Sequence, residues 1–266
     1  MNKIRNITWL RRLCIIGFVL FISIYSFTLR FPNEIENYVK MTFSNYENNN
    51  ALNNSSYIGR IAIFGASGNI GSYLTLHLIA AGFEVAAYDM KPTLHSPKST
   101  KLHSSSIDAQ HLEKFEFVVF LGGCTGRRAC AELDADQRHK VNVKDVIDIV
   151  LKMNPTQHFI VASTSAVSEG RQNSKESDPI FSEKLDEYSS SMYERELALK
   201  SLLAKNDKTQ FPRISMLRFG TVVGVSPGQR TDLLVPSLYK AAYKTGVLKI
   251  DNFQCNGAMM LNPICA

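Results

Sequence analysis

The residues whose spacing points most directly to chemistry are three glycines, Gly65, Gly68 and Gly71. Between a strand and a helix, the first glycine permits a tight turn and the second lets the backbone approach a pyrophosphate. The third lets the helix pack closely on the strand. The helix N-terminus then presents free N–H groups and a partial positive charge to an anion. This spacing predicts a dinucleotide-binding turn.

The segments on either side of the glycines have the required order. Residues 60–64 are an apolar run that predicts a strand, and residues 72–81 have the composition of a helix. The turn would therefore place its backbone and first helical residues against the cofactor. The predicted contact residues of this turn are Gly65, Ser67, Gly68, Asn69, Ile70 and Gly71.

A second predicted strand ends on a carboxylate. Gly82 fits a helix end, and the strand that follows it stops at Asp89. A carboxylate at this position suits the adenosine-ribose hydroxyls of NAD and repels the additional phosphate of NADP. Asp89 therefore favours NAD, although the nearby Lys91 weakens the discrimination.

Two further apolar runs end in residues that could face a ligand. One, within residues 117–123, stops at Leu121 and Gly122, where a glycine allows close backbone approach. The other begins at His158 and leads into a hydroxyl cluster at Thr164. A surface helix is predicted from Asn142, between these strands. This alternation predicts an α/β fold with a doubly wound parallel sheet, in which ligands bind at the carboxyl ends of the strands.

Taken together, these motifs resemble the extended short-chain dehydrogenase/reductase family, over about residues 61–250. Its members include NAD-dependent nucleotide-sugar epimerases, dehydratases and decarboxylases. The resemblance implies a Rossmann fold, NAD as cofactor, a nucleotide-sugar substrate, hydride transfer and a homodimer. It rests on the glycine turn, Leu121-Gly122-Gly123, Asn142-Val143, Ser163 to Val167, Tyr188 to Glu196, and Leu217 to Gly224.

The family's catalytic pattern, Tyr-x-x-x-Lys, is incomplete in this chain. It assigns the acid/base role to Tyr188, but Met192 stands where the lysine belongs. The resemblance also implies that Thr164 positions the substrate hydroxyl, with Ser163 and Ser165 as alternatives. In the family the lysine lowers the pKa of the tyrosine, so Met192 would leave Tyr188 nearer its free value of about 10.

Several interpretations of this departure remain open. Arg195 lies on the same helical face as Tyr188 but two turns away, so it could replace the lysine only in part. A register using Tyr193 places Leu197 at the lysine position, which is no better. The chain is therefore expected to be either an NAD-dependent oxidoreductase, a catalytically silent dinucleotide-binding protein, or a truncated gene product. Ala166 replaces an acidic residue common in dehydratases and decarboxylases, which favours simple oxidation-reduction or epimerisation.

The C-terminal part, residues 226–266, is expected to form a partial substrate-binding segment after a Rossmann domain at 59–225. Arg230 could pair with the diphosphate of a sugar nucleotide, because a guanidinium matches phosphate geometry. The alternative is an exposed loop arginine. Compared with the family, this substrate lobe is short, and we expect it to be truncated.

The N-terminal part predicts a membrane anchor. Residues 14–29 carry no charge and follow a basic tail at 1–13, which predicts a cytoplasmic N-terminus and a translocated remainder. A cleaved signal peptide is the alternative. Residues 30–58 would be a stem, and the protein would be a single-pass type II membrane protein with its domain in the Golgi or ER lumen.

The composition of this 266-residue chain excludes few classes of protein function. Its net charge of +6 is dispersed beyond the N-terminus, so no nucleic-acid partner is predicted. The five cysteines show neither metal-ligand spacing nor an evident pairing, and no metal site is predicted.

Overall fold

The computed structural model describes residues 57–91, 99–101, 106–168, 171, 173–205, 210–224 and 226–245. The predicted tail, anchor and most of the stem lie outside these residues, as does the chain after position 245. Among the helices that are described, none combines the length and the apolar character needed to cross a membrane.

Six parallel strands form one sheet in the order β3-β2-β1-β4-β5-β6. This is the strand order of the doubly wound dinucleotide-binding fold, with its crossover between β1 and β4. The predicted doubly wound parallel sheet is thus confirmed. The strands are β1 Arg60–Phe64, β2 Glu84–Asp89, β3 Ser99–Lys101, β4 Phe117–Phe120, β5 His158–Thr164 and β6 Arg213–Phe219.

Helices follow most strands, as crossover connections between parallel strands require. A π-helical stretch, Lys140–Lys144, joins the helices Ala135–His139 and Asp145–Val150, and short 3-10 turns cover Ser165–Ser168 and Ser182–Lys184. The α-helices are α1 Asn69–Ala80, α2 Ala109–Leu112, α3 Arg127–Ala131, α4 Ala135–His139, α5 Asp145–Val150, α6 Glu187–Lys205 and α7 Leu234–Thr245.

Alternating side chains of the central strands build a core on each face of the sheet. Ala62 and Phe64 of β1 belong to the cluster that contains side chains of α5 and α6, including Ile149 and Leu199. Their neighbours Ile61 and Ile63 belong to the opposite cluster, with Leu74 and Leu78 of α1. Because successive strand residues point to opposite faces, both cores need a continuous apolar strand, as the sequence has here.

The helix predicted from Asn142 begins earlier than expected. A capping box between Asp134 and Gln137 starts α4 at Ala135, and the π stretch then continues into α5. Asn142 is fully buried within the π stretch rather than standing at a surface helix start. Such π-helical turns often occur at functional sites, and this one faces the predicted site.

Candidate functional site

The glycine turn packs too tightly to accommodate side chains. Gly65 has φ +81°, and a Cβ atom there would lie 2.7 Å from the backbone nitrogen of Gly122. A Cβ atom on Gly71 would overlap the carbonyl oxygen of Gly65. Both positions therefore require glycine, one for its conformation and both for space. The resulting bare backbone next to the N-terminus of α1 fits a dinucleotide phosphate.

Asp89 is bound to the glycine turn. Its carboxylate accepts a hydrogen bond from the backbone N–H of Ser67 at 2.9 Å and another from Lys91 at 2.8 Å. The end of β2 is thereby fixed beside the turn, at the position from which a carboxylate can reach a ribose. A carboxylate has further lone pairs on each oxygen, so these two bonds leave acceptor capacity.

The ends of β1 and β4 meet at the same point. The backbone N–H of Leu121 donates to the carbonyl of Phe64 at 2.8 Å, and Gly122 lies against Gly65. The structure thus brings all of the predicted cofactor residues to one edge of the sheet. They lie in the turn, in the first turn of α1, and at the ends of β2 and β4.

A segment that sequence reasoning did not assign to the cofactor site packs against the glycine turn. The hydroxyl of Ser226 donates to the Asn69 side chain at 2.7 Å, and the N–H of Gly228 donates to the Ser72 hydroxyl at 2.9 Å. A Cβ atom on Gly228 would overlap the carbonyl oxygen of Ser67. The chain after β6 therefore belongs to the wall of this site, a placement that no local sequence signal indicated.

Tyr188 and Thr164 come together beyond the end of β5. The Thr164 hydroxyl lies close enough to the Tyr188 phenol to lower its pKa, so the start of α6 lies next to the strand end. Burial raises the pKa of Tyr188, whereas the Thr164 hydroxyl and the positive charges of Arg195 and Arg230 oppose that rise. Burial is the larger effect, so the phenol holds its proton more strongly than a free tyrosine does.

The alternative hydroxyl of Ser163 has another partner. Ser163 donates a 2.6 Å hydrogen bond to the buried carboxylate of Glu196, away from Tyr188. That carboxylate also receives two bonds from Arg218, at 2.8 and 2.6 Å. Burial disfavours ionisation of Glu196, but the bonds from Arg218 and Ser163 outweigh it and lower its pKa. Glu196 thereby fastens α6 to β5 and β6.

Met192 is buried, with 3% of its surface exposed, and supplies no charge beneath Tyr188. Arg195 of the same helix does carry a charge, and it is 1% exposed. Its guanidinium donates to the carbonyl oxygen atoms of Asn142, Ala162 and Gly122. A buried cation therefore lies at the ends of β4 and β5.

Asn142 connects this cation to the start of α6. Its side-chain nitrogen donates to the Ser191 hydroxyl at 2.9 Å, and that hydroxyl donates to the Tyr188 carbonyl at 2.9 Å. Its side-chain oxygen accepts from the backbone N–H of Cys124 at 3.0 Å. The fully buried Asn142 thus links the loop after β4 to the segment that carries Tyr188.

A disulfide closes the loop after β4. Cys124 and Cys130 are bonded, with their Cα atoms 5.5 Å apart. No cysteine pairing was evident from the sequence. The structure shows this one, because the turn between β4 and α3 brings Cys124 and Cys130 together. Cys14, Cys255 and Cys265 lie outside the described residues.

Arg230 reaches the same loop from the chain after β6. It donates to the carbonyl of Thr125 at 3.0 Å and forms an ion pair with Asp232. Its charge acts on Tyr188, and its side chain is 31% exposed. Arg230 is therefore close to the predicted chemistry rather than on a distant loop.

Comparison with known proteins agrees with this geometry. The profile of the NAD dependent epimerase/dehydratase family matches residues 61–253, more than half of the chain. The fold is similar to that of MoeE5 in complex with UDP-glucose and NAD, at 25% identity and a TM-score of 0.58. That alignment covers 69% of this chain and 60% of MoeE5.

Two other solved structures show the same fold. TunA, an NAD-dependent NDP-hexosamine 5,6-dehydratase, is 21% identical over 72% of this chain and 64% of its own, with a TM-score of 0.61. UDP-glucuronic acid 4-epimerase from Bacillus cereus is 20% identical over 70% and 63%, with a TM-score of 0.55. This chain thus spans less than two thirds of the length of each relative. Together with the glycine turn and the parallel sheet, the profile match shows that the chain belongs to the NAD-dependent epimerase/dehydratase family.

Proposed function

We propose that this protein is an oxidoreductase that uses NAD to act on a hydroxyl group of a nucleotide sugar, in the manner of an epimerase or dehydratase. The observation that carries the proposal is the meeting of Tyr188 with Thr164 beyond the end of β5. This pair lies at the edge of the sheet that also holds the glycine turn. The chain thus combines a dinucleotide site and an acid/base group in one crevice.

The chemistry proposed for the protein's own residues is proton transfer. Tyr188 acts in its ionised form: the O–H bond of the sugar hydroxyl breaks, and a new O–H bond forms on the phenolate oxygen. The Thr164 hydroxyl orients the substrate oxygen toward Tyr188. NAD, when bound, supplies the acceptor for the hydride that leaves the sugar carbon. Gly65, Gly71 and Asp89 would hold that cofactor.

A nucleotide sugar is the substrate class that the surroundings support. MoeE5, at 25% identity, was solved with UDP-glucose and NAD. In this chain, Arg230 stands between the loop after β4 and the segment that covers the glycine turn. A guanidinium there is suited to a diphosphate, provided that the substrate displaces its exposed partner Asp232.

The test is turnover by the purified chain. The protein is incubated with NAD and a panel of UDP-sugars, and epimerised, dehydrated or oxidised products are followed by NMR. We expect turnover of at least one sugar and a loss of about 100-fold or more in Tyr188→Phe, which removes the proton acceptor. Saturable NAD binding with no turnover of any sugar would instead identify a silent dinucleotide-binding protein.

We further propose a type II membrane orientation with residues 59–245 in the ER or Golgi lumen. The uncharged run at residues 14–29 and the basic residues before it support this topology. The Cys124–Cys130 disulfide also supports it, because disulfides persist in oxidising compartments. Protease treatment of sealed microsomes is the test: protection of the domain is expected, and digestion contradicts the proposal.

A homodimer is proposed from the family resemblance. Sedimentation of the purified domain at several concentrations tests it, with a mass of two chains expected. A single-chain mass at every concentration contradicts it.

A further inference from the structure

The largest side chain that is almost completely inaccessible in the described part of the chain is Arg195. Burial lowers the pKa of its guanidinium to about 10, and the neighbouring Tyr188 opposes that fall. Arg195 consequently keeps its positive charge at neutral pH. A full charge has therefore been taken out of water at the centre of the candidate site.

The partners of this charge are unusual. Within the described residues, Arg195 donates to the carbonyl oxygens of Asn142, Ala162 and Gly122 and to the side-chain oxygen of Asn142. It also lies over the ring of Phe120, with 5.5 Å between the guanidinium carbon and the ring centroid. These partners are dipoles and a ring face, and none of them is a carboxylate. Burying a cation without an anionic partner is costly, so the site is expected to use the charge.

The position of Arg195 on α6 brings its guanidinium toward Tyr188. Both residues belong to α6, and a separation of seven positions places them on one helical face. Helical side chains lean toward the helix N-terminus, so the guanidinium extends back toward the turn that carries Tyr188. Its bond to Ala162 also places it beside the strand end that bears Thr164, at 2.9 Å from the Ala162 oxygen.

The other charges that act on Tyr188 are less suited to the role. Arg230 is largely neutralised by its ion pair with Asp232, and it is partly exposed, so solvent screens it. Asp186, near the start of α6, repels a phenolate. Met192 is uncharged. Arg195 is the cation acting on Tyr188 that is both buried and free of a carboxylate among its described partners.

We propose that Arg195 is the positioning residue that stabilises the ionised form of Tyr188, and that it replaces the family's lysine from one turn further along α6. This inference rests on the proposed function, because it assigns a role within that reaction. Arg195 keeps its protons throughout: the proton of the sugar hydroxyl goes to the Tyr188 oxygen, and Arg195 offsets the negative charge present there before the transfer.

The experiment measures Tyr188 ionisation directly. The tyrosines are labelled with carbon-13 and titrated by NMR, and Tyr188→Phe identifies the signal. We expect Arg195→Met to raise the pKa of Tyr188, and the double variant Arg195→Met with Met192→Lys to bring it back. Arg213→Gln, which removes an exposed arginine at the opposite end of the sheet, is the matched control and should change nothing.

Turnover gives the second measurement where a substrate has been found. The rate should rise with pH as Tyr188 ionises, and Arg195→Met should move that rise to higher pH. At neutral pH the expected loss in kcat is about tenfold for each pKa unit of displacement. The KM for the sugar should change much less than kcat, because the ground-state contacts remain. A purely structural role would lower stability without moving the pH profile.

The outcomes separate the two proposals. If no sugar is turned over but the NMR titration moves as expected, the reaction is wrong and the Arg195 assignment stands. If Arg195→Met folds and leaves the Tyr188 titration unchanged, the assignment is wrong. Should Arg195→Met not fold, Arg195→Gln decides, because glutamine keeps a donor for the neighbouring carbonyl oxygens and removes the charge. Arg195→Gln should raise the Tyr188 pKa, and an unchanged titration contradicts the assignment.

Discussion

At the Tyr188 oxygen, burial and local contacts act in opposite directions. Burial favours the neutral phenol, while Thr164 and two guanidinium groups favour the phenolate. Without these contacts, a still smaller fraction of Tyr188 would be ionised at neutral pH. Changes to any one of them should appear first in the pH dependence of turnover rather than in substrate affinity.

Thr164→Val tests this balance at the level of one hydroxyl group. It keeps the shape of the side chain and removes the hydroxyl that lowers the Tyr188 pKa. We expect kcat to fall by about ten- to a hundredfold at neutral pH, with the rise in rate moved to higher pH. Thr164→Ser should restore most of the rate, and Ser165→Ala is the control. An unchanged pH profile in Thr164→Val contradicts the assigned role.

The connection between β1 and α1 depends on backbone packing. Gly65 and Gly71 face each other so closely that the helix rests on the turn without intervening side chains. Gly68 is less confined, since a Cβ atom there would lie 3.3 Å from the Gly65 oxygen and its φ is −71°. The three glycines of one motif therefore differ in how strictly they are required.

Gly71→Ala and Gly68→Ala form a matched pair for this element. We expect Gly71→Ala to lower the free energy of unfolding by about 1–3 kcal/mol, because neither backbone segment can move away without disturbing the strand. Gly68→Ala should cost less than half of that. Urea denaturation of both variants is the measurement, and equal losses contradict this account of the turn.

Helix α6 is held to the sheet by Glu196, whose carboxylate bonds Arg218 and Ser163. Because its pKa is lowered in the folded protein, its contribution is present above the pKa of an unfolded glutamate. That contribution is lost as the pH falls through the lowered folded value. Acid should therefore weaken the attachment of the helix that carries Tyr188 and Arg195.

Glu196→Gln should remove this part of the pH dependence. We expect a destabilisation of about 1–3 kcal/mol at pH 7 from the weakened contact with Arg218, and a smaller one in acid below about pH 4. Thermal unfolding across this pH range measures the difference. A variant that is equally destabilised at every pH contradicts the ionised state assigned to Glu196.

In the whole molecule, the crossover between β1 and β4 creates one crevice. The glycine turn, Asp89, Thr164 and Tyr188 lie at this crevice. The segment around Gly228 returns to this crevice after β6 and closes one side of it. A ligand held by the glycine turn, Asp89, Thr164 and Tyr188 would contact residues of several strand ends and of α6. Ligand binding should therefore stabilise the entire domain against unfolding.

NAD should accordingly stabilise the protein against heat. At about 100 times its dissociation constant, the expected gain is about 2.7 kcal/mol. NADP should give a smaller increase in Tm, because the Asp89 carboxylate repels its additional phosphate. Asp89→Asn, which can still accept the Ser67 hydrogen bond, should reduce this difference. Equal shifts with both cofactors in the unchanged protein would contradict the NAD preference.

Four of the six strands were predicted because their sequence signals are local. Apolar runs of strand length, glycines at fixed spacing and a carboxylate at the end of β2 each act within a few residues. The short β3 and the early start of α4 were harder to predict. The segment that contains β3 is polar, and the capping box at Asp134 precedes a helix whose apolar positions begin only later.

The sequence by itself determined the fold class and the cofactor turn, because both follow from residue types at fixed separations along the chain, and the family resemblance supplied Tyr188 and Thr164 as the residues proposed for proton transfer. Only the tertiary structure decided the partners of Arg195, the Cys124–Cys130 bond and the contact of Gly228 with the glycine turn. The reason is physical: burial and charge environment depend on which strand ends meet across the sheet, and those meetings join segments that lie far apart in sequence.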